Sequence, residues 1–309
     1  MTDNGFQGYL ASDVPLAGLD DVEGSRVPQG LFPVIDAHVH LFPDALFDAV
    51  WGWFDRYGWP VRYRLHSRDL LDFLFSRGVD HIVGFQYAHK PGIASELNRY
   101  MAGMIRHYPG KLTGMATVFP GEKGAEALLD EAMKLGLKGV KLHTHVQCFE
   151  LVGTPVEKVL RFCAGNALPA VIHAGREPRS PAYSCDPYLL CSAGRVRHVL
   201  EKHPGLKLCV PHLGMDEFDS YRQMLDIFDN LWVDTAMAVG GYLPVTVPFS
   251  INALRSDRVM YGSDFPNIPY AWDRELKWFK DSDLPAPVLS GILEKNARDF
   301  FGIPAPDGR

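Results

Sequence analysis

The sequence predicts a (β/α)8 barrel of the TIM type, and three observations carry that prediction. Eight short apolar runs are spread over residues 34–263, stretches of helical periodicity lie between them, and His38, His143, His173, His212 and Asp264 sit where such runs end. Continuously apolar strands separated by helices pair in parallel with both faces covered. Eight such units close into a barrel whose chemistry is built at the C-terminal strand ends. An open doubly wound sheet would carry a glycine-rich phosphate turn after an early strand, and no G-x-G-x-x-G occurs.

The elements follow in order. Residues 1–30, rich in Gly, Asp, Ser and Pro, read as an irregular N-terminal arm, and residues 31–309 as one barrel domain. The expected strands are Val34–His38, His81–Gln86, Leu112–Val118, Gly139–His143, Pro169–His173, Leu206–His212, Leu231–Thr235 and Arg258–Ser263. Helical spacing marks Ser67–Leu74, Gly124–Leu135, Val156–Cys163, Gly194–Lys202 and Asp216–Phe228. Gly78, Gly136 and the Pro-Gly pairs at 109–110 and 204–205 are stop signals. The connection 41–66 holds Phe42, Phe47, Trp51, Trp53, Phe54, Tyr57, Trp59 and Tyr63. That is more aromatic surface than a loop needs, and it reads as a helix packed on the barrel, with a lid or a subunit interface as the sharper alternative.

Composition narrows the function. A net charge of −6 with interspersed signs, and no Lys/Arg cluster interleaved with aromatics, argues against a nucleic-acid partner. No apolar run reaches membrane-spanning length and no secretory signal opens the chain, so no membrane partner is expected. Five cysteines, odd in number and without C-x-x-C, fit a reducing, cytoplasmic setting better than a disulfide framework or thiolate zinc knot.

Asp36-Ala37-His38-Val39-His40 is the strongest local signal, because residues two apart on a strand project to the same side and present two imidazoles to one point. With His173 and Asp264, the donors are imidazoles and a carboxylate. Such donors leave a catalytic ion an open position, whereas thiolates build closed structural sites.

Asp36–Phe42 (DAHVHLF), Gly139–His145 (GVKLHTH), Val171–Gly175 (VIHAG), Val210–Gly214 (VPHLG), Tyr261–Pro266 (YGSDFP) and Lys295–Phe301 (KNARDFF) together resemble the amidohydrolase superfamily. The resemblance is strongest to the branch that contains aminocarboxymuconate semialdehyde decarboxylase and related hydrolases. It implies His38, His40, His173 and Asp264 as metal ligands. It implies His212 as the histidine that holds or deprotonates the metal-bound water, with Asp264 also accepting a proton. Zinc is the expected ion, manganese and iron suit the same donors, and a single ion is favoured. Some superfamily members carry a carbamylated lysine at the position of Lys141, which leaves a second ion open. If Lys141 faces the mouth, strand alternation places His143 and His145 beside it as substrate-facing groups.

The expected activity is metal-assisted hydrolysis of an amide, lactone or ester of a small organic acid. The alternative is non-oxidative decarboxylation of an unsaturated or aromatic acid, and a third class is a barrel that binds without catalysis. The substrate is expected to carry a carboxylate, with Arg176 as a bidentate clamp; the competing reading of Arg176 and Arg179 is surface ion pairs with nearby acids. His89, Lys90, Tyr183, Trp51 and Trp59 are weaker pocket candidates. The arm and the aromatic connection offer surfaces for a homodimer.

Overall fold

The computed structural model describes residues 18–31, 33–176, 179–241 and 250–305. Most of the N-terminal arm (1–17), Phe32, and Glu177 and Pro178 beside the proposed clamp lie outside the described residues.

All eight expected strands form: β1 (Ile35–His40), β2 (His81–Phe85), β3 (Leu112–Gly114), β4 (Val140–His143), β5 (Pro169–His173), β6 (Lys207–Val210), β7 (Leu231–Asp234) and β8 (Val259–Met260). The larger helices are α1 (Asp44–Tyr57), α2 (Ser67–Ser76), α3 (Ala94–His107), α4 (Ala125–Lys134), α5 (Thr144–Gln147), α6 (Thr154–Gly165), α7 (Pro187–Leu190), α8 (Ala193–Lys202), α9 (Phe218–Ile227), α10 (Arg274–Asp281), α11 (Ala286–Ser290) and α12 (Asn296–Phe301). Among the described residues, no helix is long and apolar enough to cross a membrane.

Strands pair in parallel in chain order, β1-β2-β3 and β4-β5-β6-β7-β8. Single bridges close the two seams. Ala116 N–H donates to Gly139 O and Lys141 N–H to Ala116 O, both at 2.8 Å; across the other seam Ala37 N–H reaches Tyr261 O at 2.9 Å and His40 N–H reaches Phe265 O at 2.8 Å. The fold is therefore the (β/α)8 barrel. β3 and β8 are shorter than expected because at the seams isolated bridges replace a continuous ladder.

Strand alternation sorts the core into two layers. Leu142, Ile172, Val210 and Val233 face the surrounding helices, while Val171, Cys209 and Met260 face the interior, which Trp232, Phe300 and Phe301 plug. A register shift between Asp36 and Val39 breaks the alternation in β1. A bulge re-aims the side chains that follow it. Ile35 and Ala37 thus fill the interior below, yet His38 lies over the interior ring of Phe85, centroids 4.8 Å apart.

The described part of the arm is tied to the barrel. Gly24 N–H donates to Asp273, Trp272 Nε1–H to Gly24 O at 3.0 Å, and Arg274 pairs with Asp21 at 2.8 Å. α1 supplies the use of the aromatic connection. Its Phe47 and Trp51 are buried, stacked on each other at 5.2 Å, and its opposite side turns toward the barrel mouth.

Candidate metal centre and active site

The groups at the mouth form two trios with His212 between them. His38, His40 and Asp264 present donor atoms within 4.8 Å of one another, as do His143, His145 and His173, and all six residues are buried. His212 stands between them: its Nε2 lies 3.2 Å from His173 Nδ1 and its ring centre 5.3 Å from that of His38.

Tautomers follow from the partners, since a carbonyl or carboxylate oxygen can only accept. His212 Nδ1–H donates to Ala236 O at 2.7 Å, so Nε2 carries the lone pair and accepts from His173 Nδ1–H. His38 Nδ1–H donates to Asp234 Oδ2 at 2.9 Å. Its Nε2 lone pair then faces Asp264 Oδ1 at 3.2 Å without a hydrogen bond, and the buried Nδ1 of His40 has no hydrogen-bond partner either. A lone pair aimed at a carboxylate oxygen in a buried site is unfavourable unless something positive stands between them. The donor set therefore fits a divalent cation.

The protonation states agree. Burial, reinforced by the Lys141 charge, pushes His38 well below the usual imidazole range. Burial also lowers His40 against the opposing pull of its hydrogen bond to Asp264, and lowers His143 well below normal together with the neighbouring His173 and His145. Burial alone would raise Asp264, but the His40 hydrogen bond and the surrounding imidazoles outweigh it and hold the carboxyl below the usual carboxylate range. Neutral imidazoles and an ionised carboxylate are the states in which these groups ligate metal.

Backbone strain collects here as well. His212, Met237 and Asp264 have φ of 58°, 57° and 63°, in the left-handed region that non-glycine residues avoid. Hydrogen bonds hold two of them: Asp264 N–H to His38 O at 2.9 Å, and His212 N–H to Asp234 Oδ1 at 3.0 Å. The turns beyond β6 and β8 are thereby aimed at β1.

Above these groups opens a cavity of about 320 Å³. One wall is polar: His40, His143, His145, His173, His212, Asp264 and Asn267. The others are mostly apolar, with Leu46, Val50, Trp53 and Phe54 of α1, then Phe42, Trp59, Tyr87 and Tyr183. Tyr183 stacks on Trp53 at 5.3 Å and meets His145 edge-on at 4.6 Å, so the loop after β5 and α1 roof the cavity together. His89 and Trp59 also line it, whereas Trp51, the other weak pocket candidate on the aromatic connection, packs against Phe47.

Several expectations need correction. His145 does not share a strand face with Lys141 and His143: β4 ends at His143, the chain turns into α5, and a helical turn brings His145 within 4.4 Å of the His143 ring. Lys141 is wholly buried inside the barrel, its Nζ 4.7 Å from the Phe85 ring centre, and is not among the cavity's lining residues. Arg176 does not line the cavity either. A main-chain bridge to Met215 sets it beside the next loop, where Nε lies 3.5 Å from Glu217, while Arg179 pairs with Asp186 at 3.1 Å.

Sequence reasoning passed over Asp234 and Asp36. Asp36 accepts from Ser263 N–H at 3.0 Å and from His38 N–H at 3.1 Å, and burial pushes its carboxyl up to about 7 against the Ser263 hydrogen bond. Asp234 ends an apolar run, Leu-Trp-Val-Asp, the same signal that singled out the other five positions.

Fold and site together define a (β/α)8 barrel with groups able to hold a metal ion at the mouth of its strands. Residues 35–303 match the family model described as Amidohydrolase, and the chain belongs to that family, an enzyme family of the amidohydrolase superfamily. No curated protein matches the chain. Among solved structures it is similar to a TIM-barrel protein from Bordetella bronchiseptica, with 18% identity, TM-score 0.66, and 88% of this chain and 99% of that one covered. It is also similar to 5-carboxyvanillate decarboxylase from Novosphingobium aromaticivorans, solved with manganese and 4-hydroxy-3-methoxy-5-nitrobenzoic acid (17% identity, TM-score 0.65, covering 91% and 100%). A third is a probable 2-pyrone-4,6-dicarboxylic acid hydrolase from Acinetobacter baumannii (19% identity, TM-score 0.59, covering 88% and 100%).

Proposed function

We propose that this protein is a metal-dependent, non-oxidative decarboxylase of a planar aromatic or unsaturated acid carrying a single carboxylate. The observation that carries this reading is the cavity wall: polar groups gather on one side, flat aromatic surfaces fill the rest, and no Lys or Arg is among the described lining residues. Of the stretches outside the described residues, only 306–309 contains a Lys or Arg, namely Arg309. A second carboxylate would be desolvated without a cationic partner, which is costly. The likeness to a decarboxylase solved with a substituted benzoic acid favours decarboxylation over the hydrolysis expected from the sequence.

His38, His40, His173 and Asp264 would hold the ion, and manganese is favoured by the decarboxylase likeness while zinc suits the same donors. When bound, the ion supplies a positive charge that orients and polarises the substrate's oxygens. The chain's own residues do the rest. Tyr87, Phe42 and Trp53 clamp the ring, and the aromatic roof excludes water. His212 and Asp264 would relay a proton taken from solvent to the carbon that bears the carboxylate. The carbon–carboxylate bond then breaks, its electron pair returns to the ring, and carbon dioxide leaves.

The test is a panel of hydroxybenzoates incubated with manganese-loaded enzyme in D2O and, separately, in H2(18)O. Carbon dioxide release with one deuterium on the product ring and no label gained by the acid supports the reading. A product that incorporates 18O into a new carboxylate, from a lactone or ester panel, replaces it with hydrolysis, the activity named for the Acinetobacter neighbour.

A further inference from the structure

Of the second trio, only His173 belongs to the ligand set implied by the sequence, yet the donor atoms of His143, His145 and His173 come within 4.8 Å of one another in a buried site. Groups outside the trio fix two of its three imidazoles. Thr144 Oγ1–H donates to His173 O at 2.7 Å, which uses the hydroxyl's single proton. Oγ1 therefore accepts from the Cys191 thiol, 2.7 Å away, and Cys191 Sγ in turn accepts from His145 Nδ1–H at 3.8 Å. The lone pair of His145 is thereby set on Nε2. His173 donates its Nδ1–H to His212, so its lone pair is on Nε2 as well. His143 completes the group: its ring stacks on that of His173 at 4.2 Å and meets His145 edge-on at 4.4 Å, and its buried Nδ1 has no hydrogen-bond partner. A ring N–H held by an outer partner, with the other nitrogen left as an acceptor, is the arrangement of metal-ligating histidines.

We propose that His143, His145 and His173 form a second ion site, selective for zinc and other late first-row divalent ions. Three imidazoles without a carboxylate favour such ions over manganese, whereas the carboxylate of Asp264 suits manganese in the first site. Zinc–nitrogen bonds of about 2.0–2.1 Å bring tetrahedral donors to about 3.3 Å from one another, so the stacked His143 and His173 rings tilt toward a common point. No hydrogen bond at Nδ1 holds His143 against that movement. All three residues line the cavity, and the ion's fourth position opens into it. Lys141 takes no part, since its Nζ lies inside the barrel against the Phe85 ring. His173 has one lone pair for two ions, so an ion in the second site leaves the first to His38, His40 and Asp264, and each ion weakens the other. This coupling rests on the reading of His173 as a ligand of the first ion; the second site does not.

Cobalt(II) is the probe, because four-coordinate cobalt absorbs strongly in the visible. Metal-free native protein should take up two equivalents, and His145→Phe, which keeps a ring but removes the donor, only one. Asp264→Ala breaks the first trio and should still take up one equivalent, with strong visible bands that zinc bleaches; D264A/H145F should show none. Folded D264A without the bands, or bands that persist in D264A/H145F, overturns the site. If D264A does not fold, native protein decides: a single equivalent that H145F retains overturns the site. Cys191→Val removes the acceptor held by His145 and should weaken cobalt in D264A by about 10-fold or more; unchanged affinity overturns the part given to Cys191. The second equivalent should bind native protein several-fold more weakly than cobalt binds D264A, and equal affinity overturns the sharing of His173. Native protein that takes up one equivalent, lost in H145F and kept in D264A, upholds the second site while the reading of the first ion falls.

Discussion

Asp234 ties His38 to His212: one of its carboxylate oxygens accepts the His38 Nδ1–H at 2.9 Å, and the other accepts the His212 main-chain N–H at 3.0 Å. A single side chain on β7 thus sets the tautomer of an imidazole on β1 and the backbone of the strained turn after β6. Groups that orient a metal-ligating histidine are worth about 10–100-fold in metal affinity or activity. Asp234→Asn keeps the size of the side chain but turns an N–H toward a group that donates to the carboxylate now. We expect manganese affinity, measured by competition with a chelator, to fall by about that factor, with the fold intact by circular dichroism. Unchanged affinity and turnover would remove Asp234 from the site.

Removal of the ion should abolish turnover, and its return should restore it. His38→Ala and Asp264→Ala should lose bound metal and activity together. His212→Ala should keep the metal, read by elemental analysis, and lose turnover by about 100-fold or more. A His212→Ala variant that lost its metal would make this residue a ligand rather than a proton carrier.

The aromatic roof predicts a binding effect without a chemical one. Trp53 contributes its stacking on Tyr183 and part of the cavity wall, so Trp53→Ala should raise KM about 5- to 10-fold, in line with about 1–1.5 kcal/mol for an aromatic pair. kcat should stay near that of the native enzyme. A fall in kcat at constant KM would instead mean that the roof acts in the transition state.

Arg176 is engaged by Glu217 and stands near the Tyr188 ring rather than in the cavity. Arg176→Met should therefore leave KM for a monocarboxylate within about twofold, the scale of a partly exposed ion pair. A rise of an order of magnitude would return it to the role of substrate clamp.

His81 predicts a stability change with pH remote from the metal groups. It begins β2, with Nδ1 3.1 Å from Gly110 O and Nε2 2.9 Å from Thr113 Oγ1. Burial lowers it to about 4 despite the Gly110 hydrogen bond. Above the unfolded value of about 6.5 both states are neutral and His81 has no effect on pH dependence. As pH falls from there toward 4, the unfolded chain takes up a proton that the folded chain refuses, so stability drops, by roughly 3 kcal/mol in full. Urea midpoints measured between pH 7.5 and 4.5 should fall more steeply for the native protein than for His81→Gln; parallel curves would count against it.

The sequence alone determined the architecture. Apolar runs, helical periodicity and stop residues are local signals of burial and backbone preference, and they located all eight strands and the helices α2, α4, α6, α8 and α9. It also determined which polar residues end the strands, because a His or Asp closing an apolar run is visible in one dimension. Tertiary structure decided which of these groups meet. His173 pairs with His212 across 39 residues and His38 with Asp234 across 196, and no local pattern encodes such a choice. The bulge in β1, the turn of α5 under His145 and the capture of Arg176 by Glu217 likewise depend on neighbours remote in the chain. Local pattern settles whether a residue is buried and which way its strand faces. Its partner is settled by packing the whole barrel, where every buried lone pair and charge competes for the few groups within reach.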